Sequence, residues 1–298
     1  MVPSTELVAI TGDDIEFLSA STGTVVHSLP ITPPLTAPIA EQIAVDPALS
    51  TLYVAVSLGV GCPLQVVMAV DLDSGAEGVA AESALAPAVS PDGSRLAYIG
   101  VSGASCTVDT VTVENLRSGT RRSWPLASPG QALPAIPELM TLQWAPDGRH
   151  LVLGGRPGTV SGIEILDTDQ PIGSDNAVGV GPAIEDGLPD GRYSDPAMRP
   201  DGSIVALDPY CWGGMYCPVM RNGTGVVALD AATGTVISTI LVQPGDTAVG
   251  IGGLAVDPSG TNVAVVGGLE GTDLYTVSSG TLHLVAHGIL AATWLPGS

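Results

Sequence analysis

The chain has 298 residues, and 9 Lys and Arg stand against 30 Asp and Glu, which gives a formal net charge of −21. A charge of this sign and size repels phosphate backbones and anionic lipid headgroups, so we expect no nucleic-acid binding. With 45% hydrophobic and 13% charged residues the composition is not that of a disordered chain. Because the sequence has no run of eighteen apolar residues, we also expect no direct membrane insertion of this segment.

The first thirty residues contain three short strand-like runs, ELVAIT (6–11), IEFLSAS (15–21) and TVVHSLP (24–30). The start of the chain has neither the basic residues nor the apolar stretch of a signal peptide. We expect any export signal or anchor to lie outside this chain.

From residue 43 onward, a short apolar run that ends in proline and a turn occurs six times. Proline removes a donor from the strand ladder and favours a type I turn, so each run predicts a strand that stops at a tight turn. A second run, a variable loop, a third run, a glycine turn and a fourth run follow the proline in most copies. Four short strands in roughly 40–50 residues are typical of a propeller blade, and the alternative is a β-sandwich with coincidental turns. The six segments are IAVDPALS (43–50), AVSPDGS (88–94), LQWAPDGR (142–149), AMRPDGS (197–203), LAVDPSG (254–260) and ATWLPGS (292–298).

The two ends of the chain complement each other. The first three runs correspond to strands two, three and four of a blade, and ATWLP (292–296) corresponds to strand one. The sequence therefore predicts one all-β domain over residues 1–298, a six-bladed β-propeller of four-stranded antiparallel blades. We expect it to be closed three-plus-one, with the C-terminal strand completing the first blade.

Two copies of the repeat, AVSPDGSRLAYIG (88–100) and LQWAPDGRHLVLGG (142–155), carry a family resemblance. They resemble the repeat of the TolB-type six-bladed propellers, in which a WSPDG-like turn precedes an apolar run. The resemblance covers essentially the whole chain and implies the propeller fold with a partner-binding role. It transfers no individual site residue to this sequence.

Strand direction predicts two unlike faces. If the strands of a blade alternate up and down, the short turns lie on one face, and the second-to-third loops and the blade connections lie on the other. Because variable loops on a rigid scaffold usually carry recognition, we expect a protein or small-molecule ligand to bind on the long-loop face. The longest segments there are 101–109, 127–139, 184–195 and 211–225.

The four cysteines all fall in loops of that face. The expected disulfides are Cys211–Cys217, which would close a seven-residue loop, and Cys62–Cys106. Free buried thiols and a four-cysteine zinc site are the alternatives. Disulfides form in oxidising compartments, so the pairing predicts an extracytoplasmic location, either secreted, periplasmic or on the cell surface.

The loop from Tyr210 to Cys217 is the first candidate binding site. It concentrates the large side chains of Tyr210, Trp212, Met215 and Tyr216 in a chain with few aromatic residues. Clustered aromatic residues and methionine on a constrained loop are typical of a partner anchor. The alternative is a lid in which the same rings lie flat on the neighbouring blade.

The second candidate is the turn-rich stretch IEDGLPDGRYSD (184–195), in which Glu185, Asp186, Arg192 and Tyr193 are the expected binding residues. Carboxylates and carbonyls in such a loop could coordinate calcium. The spacing differs from that of the twelve-residue calcium loop, and a solvated acidic loop is the alternative. We therefore assign no metal ligand and expect no cofactor, with calcium as the ion to test.

The sequence has no catalytic motif of the common hydrolase, metalloprotease or nucleotide-binding types. The spacing of the sequence pairs none of its four histidines with a serine or cysteine nucleophile, so no catalytic residue is assigned. We predict a monomeric, non-catalytic binding or sensing module, the ectodomain of a larger secreted or membrane-tethered bacterial protein. The alternative is a calcium-dependent propeller lactonase or lyase acting at the central channel, which the scarcity of asparagine disfavours.

Overall fold

The computed structural model describes most of the chain. The described residues are 7–12, 14–31, 38–48, 50–57, 65–102, 107–126, 141–155, 162–172, 177–180, 193–210, 223–244, 250–268, 273–278 and 280–295.

These residues form six four-stranded antiparallel sheets and no helix. The first sheet has the order β24 (Ala291–Trp294), β1 (Leu7–Ile10), β2 (Asp14–Leu18), β3 (Val25–Pro30). The second has β4 (Pro38–Val45), β5 (Thr51–Ser57), β6 (Gln65–Asp71), β7 (Glu77–Glu82), and the third has β8 (Ala84–Val89), β9 (Arg95–Ser102), β10 (Thr107–Asn115), β11 (Arg121–Pro125). The fourth has β12 (Thr141–Trp144), β13 (His150–Gly155), β14 (Gly162–Asp167), β15 (Ala177–Val180), and the fifth has β16 (Ser194–Met198), β17 (Ile204–Tyr210), β18 (Gly223–Leu229), β19 (Val236–Pro244). The sixth has β20 (Gly250–Val256), β21 (Val263–Gly268), β22 (Asp273–Ser278), β23 (Thr281–His287).

The predicted fold class, an all-β propeller of six four-stranded blades, is therefore confirmed. In five sheets the strands are consecutive in the chain, whereas the first sheet combines the two ends. There β24 pairs with β1 from Leu7 opposite Trp294 to Ile10 opposite Ala291.

Buried apolar side chains fill the space between neighbouring sheets. Six clusters of buried residues join the first sheet to the second, each sheet to the next, and the sixth back to the first. This arrangement makes the hydrophobic core a ring of inter-blade layers. Members of the six clusters, in that order, are Ile15 with Leu52, Tyr53 with Tyr98, Ile99 with Leu151, Ile163 with Ile204, Val226 with Val265, and Leu274 with Leu7.

Two tryptophans add a hydrogen bond to this packing. The indole Nε1 of Trp144 donates to the carbonyl oxygen of Ala88 on the preceding blade at 3.1 Å, and that of Trp294 donates to Ala255 at 3.2 Å. Both tryptophans stand two residues before the proline of the repeat. Because these indoles are buried, each bond satisfies a carbonyl that water cannot reach.

The outer strands are not equally regular. The pairing of β3, β7, β19 and β23 with their neighbours shifts by one residue at a β-bulge. In β19 the pairing shifts twice, and the extra residues are Ile237 and Ile240; in β23 the extra residue is Val285. The pairings of β11 and β15 contain no such shift.

Two blade connections are shorter than expected. Only Ser83 separates β7 from β8, and residues 288–290 separate β23 from β24. The expectation that the connections between blades are long is therefore wrong at these two places. Ser83 has a φ of 49°, a left-handed conformation that turns the chain within a single residue.

Candidate functional site

The two ends of the strands differ in how the chain continues from them. On the short-turn face, defined by the turns that join strands one to two and three to four of each blade, most turns span four to six residues. On the opposite face, strands two and three of the second to sixth blades are separated by residues 58–64, 103–106, 156–161, 211–222 and 269–272, which lie outside the described residues. Residues 103–106 and 269–272 are no longer than the short turns, so the expected elaboration of this face is uneven. Its longest segments are 126–140, 181–193 and 211–222, and we call this opposite side the long-segment face.

Acidic side chains hold the short turns in shape. Asp92 accepts hydrogen bonds from the Ser90 hydroxyl at 2.6 Å and the Ser94 amide at 3.1 Å. The bond from Ser90, followed by those from Ser94, lowers the pKa of Asp92 to about 2. Asp201 accepts bonds from Ser203 in the same way, which lowers its pKa as well.

The third-to-fourth turns use a second version of this device. Asp71 and Asp230 each accept a bond from a backbone amide and from a hydroxyl three residues later, and the hydroxyl bond is the main cause of the lowered pKa of both carboxyls. Asn115 occupies the same position in the third sheet, and its Oδ1 accepts hydrogen bonds from the backbone amides of Arg117 and Ser118. At these positions, therefore, the polar side chain serves the geometry of its own turn.

The first candidate loop leaves the fifth sheet at the end of β17. Tyr210 is the last residue of that strand, and Trp212, Met215 and Tyr216 lie outside the described residues. The four cysteines lie outside them too, so the predicted disulfides stay predictions. Neither the anchor nor the lid interpretation of this loop is tested.

The second candidate segment enters the same sheet. Glu185, Asp186 and Arg192 lie outside the described residues, and Tyr193 immediately precedes β16. Tyr193 is only 6% exposed and packs in the cluster that joins the fourth and fifth sheets. In the structure, therefore, Tyr193 anchors the end of the segment in the core.

The fold brings the two candidate segments to one blade. One segment ends at β16 and the other begins at the end of β17, and these strands pair with Ser194 opposite Leu207. Both therefore emerge from neighbouring strands at the long-segment face of the fifth sheet. The sequence analysis treated the two segments as separate candidates, although the predicted pairing of strands one and two already joins their ends.

A polar group at the neighbouring sixth sheet was missed in the sequence. The Asp273 carboxylate contacts Nδ1 of His287 at 2.8 Å and accepts the Tyr275 hydroxyl at 3.1 Å. This bond and burial raise the pKa of Tyr275, with burial the larger cause. The signal was available, because Asp273 and His287 lie at similar distances from the turn glycine Gly280 and so end opposite each other.

Within the described ranges, no group of three or more His, Cys, Asp or Glu side chains is placed to hold a metal ion. No helix among these residues is long and apolar enough to cross a membrane. The calcium expectation for residues 184–195 concerns a segment that is almost entirely outside those ranges.

No protein-family model matches the sequence, and no curated protein matches it either. Solved structures do match. TolB from Acinetobacter baumannii is 13% identical, with 99% of this chain and 67% of that chain covered and a TM-score of 0.68. The fold is that of a TolB-like six-bladed β-propeller.

Two further structures show how widely this TolB-like fold is used. A chain in the crystal structure of a nidogen/laminin complex is 13% identical over 97% of this chain and 98% of its own length, with a TM-score of 0.62. A candidate 6-phosphogluconolactonase from Bacteroides fragilis is 12% identical over 98% of both chains, with a TM-score of 0.53. At such identities the similarity shows the fold alone, because a propeller hosts many functions.

Proposed function

We propose that this TolB-like propeller is a monomeric, non-catalytic module that binds a protein or small-molecule ligand at the long-segment face. The observation that supports this most is the convergence of both candidate segments on the fifth sheet, between the start of β16 and the end of β17. Tyr210, Trp212, Met215 and Tyr216 would supply the apolar contact, and Glu185, Asp186 and Arg192 the polar surround. A rigid blade that presents aromatic residues next to charges has the composition of interface hot spots.

The short-turn face is less suited to binding a ligand. Its turns are short and their polar groups are bonded to one another, so they have little freedom to reshape around a ligand. Asp92 and Asp230, for example, use their carboxylates on residues of their own turns. Recognition is therefore assigned to the face with the long segments.

A photo-crosslinking amino acid in place of Trp212, and separately in place of Thr233 on the short-turn face, tests this assignment in cells that carry the natural gene. We expect a discrete adduct at position 212 and none at 233. Excess wild-type protein should suppress the adduct, whereas a Trp212→Ala, Tyr216→Ala double variant should not. Suppression of the adduct by the double variant, or equal adducts at positions 212 and 233, would contradict the proposal. So would the absence of any adduct together with the absence of a bound small molecule when the protein purified from native cells is analysed by native mass spectrometry.

We also propose an extracytoplasmic location for the module, within a larger secreted or membrane-tethered bacterial protein. Thiol titration of the denatured protein purified without reductant tests the underlying disulfides. We expect no free thiol. Four free thiols would remove the basis for this location.

The enzyme alternative, a calcium-dependent lactonase or lyase, makes a different prediction. Calcium titration calorimetry and lactone hydrolysis with and without chelator distinguish it from the binding module. We expect neither calcium binding at micromolar concentration nor turnover that a chelator abolishes. Both together would favour the enzyme.

A further inference from the structure

The outer strand β11 differs from the other outer strands in charge. It begins with Arg121 and Arg122 and follows a turn that contains Arg117, and no other outer strand contains arginine. The chain as a whole has no cation before Arg95 or after Arg221. We call Arg117, Arg121 and Arg122 the arginine edge.

The backbone of β11 leaves two residues open to a further strand. Hydrogen bonds from Asn115 N to Thr120 O and from Leu126 N to Asp109 O, both 2.9 Å, close the two ends of the β10–β11 ladder. Since hydrogen-bonded and non-bonded pairs alternate in an antiparallel ladder, the pairs that contain Arg122 and Trp124 bond inward.

The N–H and C=O groups of Arg121 and Ser123 therefore point away from β10. The ladder has no bulge, whereas β3, β7, β19 and β23 each have one. Bulges protect sheet edges from pairing, so β11 lacks the device that four other outer strands have. Pro125, which has no N–H, ends the open stretch.

The two arginines of β11 are held on opposite faces of the sheet. Arg122 donates from Nη1 to the carbonyl of Thr168 and from Nη2 to that of Gln170, both at 2.9 Å, and lies 4.8 Å from the ring of Trp124. Arg121 donates from Nε to Glu114 at 2.8 Å, and its side chain is 54% exposed. Since side chains that are already held lose little entropy on binding, Arg121 and Arg122 are preorganised.

We propose that the edge of β11 binds an extended acidic polypeptide segment as a fifth strand of the third sheet. The outward N–H and C=O groups match the alternating acceptors and donors of a second backbone, which a polysaccharide or polyphosphate does not have. Consecutive residues of an added strand point to opposite faces, so two adjacent carboxylates would reach Arg121 and Arg122. Along this hairpin three guanidinium groups stand against two carboxylates, those of Asp109 and Glu114, so its net charge is positive in a strongly acidic chain.

The net charge of −21 does not prevent this contact. At physiological salt the screening length is about 8 Å, so acids on distant blades contribute little at β11. The remaining negative field instead disfavours acidic segments everywhere else on the molecule. The site is separate from the one under the proposed function and holds or fails independently of it.

Fluorescence anisotropy with a labelled twelve-residue peptide, Thr-Glu-Glu-Val repeated three times, tests the proposal. We expect saturable binding at 50 mM NaCl that weakens at 200 mM, and no binding of the peptide in which glutamine replaces every glutamate. A double variant, Arg117→Gln with Arg121→Gln, should weaken binding about tenfold, since charge-assisted hydrogen bonds are lost. The matched control is Arg149→Gln, because this arginine is nearly as exposed as Arg121 and is also paired with a carboxylate, but lies in the fourth sheet, away from the edge of β11.

Amide hydrogen exchange gives an independent measurement. On saturation with the peptide, the Ser123 amide should slow at least tenfold, whereas the Arg122 amide, already bonded to β10, should not change. No saturable binding, equal loss with Arg149→Gln, equal binding of the glutamine peptide, or unchanged exchange at Ser123 would each overturn the proposal. Binding of polyphosphate but not of the peptide would also overturn it.

Discussion

Replacing Gly23 with alanine tests how the first and sixth sheets are held together. Gly23 lies in the turn between β2 and β3 with a φ of 67°. A Cβ built on it would collide with the backbone carbonyl oxygen of Val285, the bulge residue of β23. Alanine at this position therefore strains its own backbone and also pushes two blades apart.

Gly75 and Gly280 separate these two effects. Both occupy the corresponding turn of another blade with φ of 70° and 75°. A Cβ on Gly75 would have nothing within 4 Å, and a Cβ on Gly280 would lie 3.7 Å from the carbonyl of Ile240, an ordinary contact. All three substitutions include the left-handed strain, and only Gly23→Ala adds a collision.

The magnitudes follow from this difference. A non-glycine residue in the left-handed region costs about 1–2 kcal/mol. Overpacking against an atom that cannot move adds about 1–3 kcal/mol. We expect Gly75→Ala and Gly280→Ala to lower the free energy of unfolding by about 1 kcal/mol, and Gly23→Ala by about 3 kcal/mol.

Urea unfolding of the wild type and the three variants, followed by circular dichroism, measures these values. We expect the free energy of unfolding of Gly23→Ala to be far below that of the wild type. The values of the other two variants should be close to each other and slightly below that of the wild type. If Gly23→Ala is no less stable than Gly75→Ala, the turn of the first blade does not pack against β23 as described. If Gly280→Ala is as damaging as Gly23→Ala, the distance to the bulge carbonyl is not the deciding factor.

Two further predictions concern buried polar groups. Burial raises the pKa of Glu164, so the folded state binds the proton of this carboxyl more tightly than the unfolded chain does. The stabilisation that the protonated carboxyl contributes is therefore lost as the pH rises through the folded-state pKa. Glu164→Gln should therefore raise the free energy of unfolding at pH 7, on the order of 1 kcal/mol, and the gain should vanish at pH 3; a constant gain across thermal melts at both pH values would contradict this reasoning. Trp144→Phe removes the bond to the Ala88 carbonyl, whereas Trp124→Phe removes another buried indole, whose Nε1 has no partner among the described residues. In parallel urea titrations Trp144→Phe should cost about 1–2 kcal/mol more, and equal losses would show that the inter-blade bond contributes nothing.

The repeat made the fold predictable because its signals are local. A proline after an apolar run stops a strand wherever the chain goes next, so the copies around Pro91 and Pro146 specify two blades without any knowledge of their neighbours. Contacts between blades lack such a signal. The bond from Trp144 to Ala88 depends on how closely two sheets approach, which no spacing within one blade encodes.

The candidate site was predictable only in part. The sequence placed the aromatic loop after Tyr210 and the acidic segment before Tyr193 on one face, since strand alternation requires it. It did not show that Tyr193, where the acidic segment joins β16, is buried in the core. The sequence also did not predict the left-handed conformation of Ala86, which has a φ of 56° and lies at a shift in the β8–β9 register.

The distribution of charge connects the fold to its choice of partners. Asp92 has a pKa of about 2 because its own turn stabilises the carboxylate, and hydrogen bonds lower the pKa of Asp71 and Asp230 for the same reason. These groups remain ionised in mild acid, where ordinary carboxyls begin to titrate. The negative charge of the short-turn face is thus a property of the repeated turns and cannot be removed without weakening them. An acidic segment therefore meets repulsion around most of the ring, and the arginine edge of β11 gains selectivity from that contrast as well as from its own contacts.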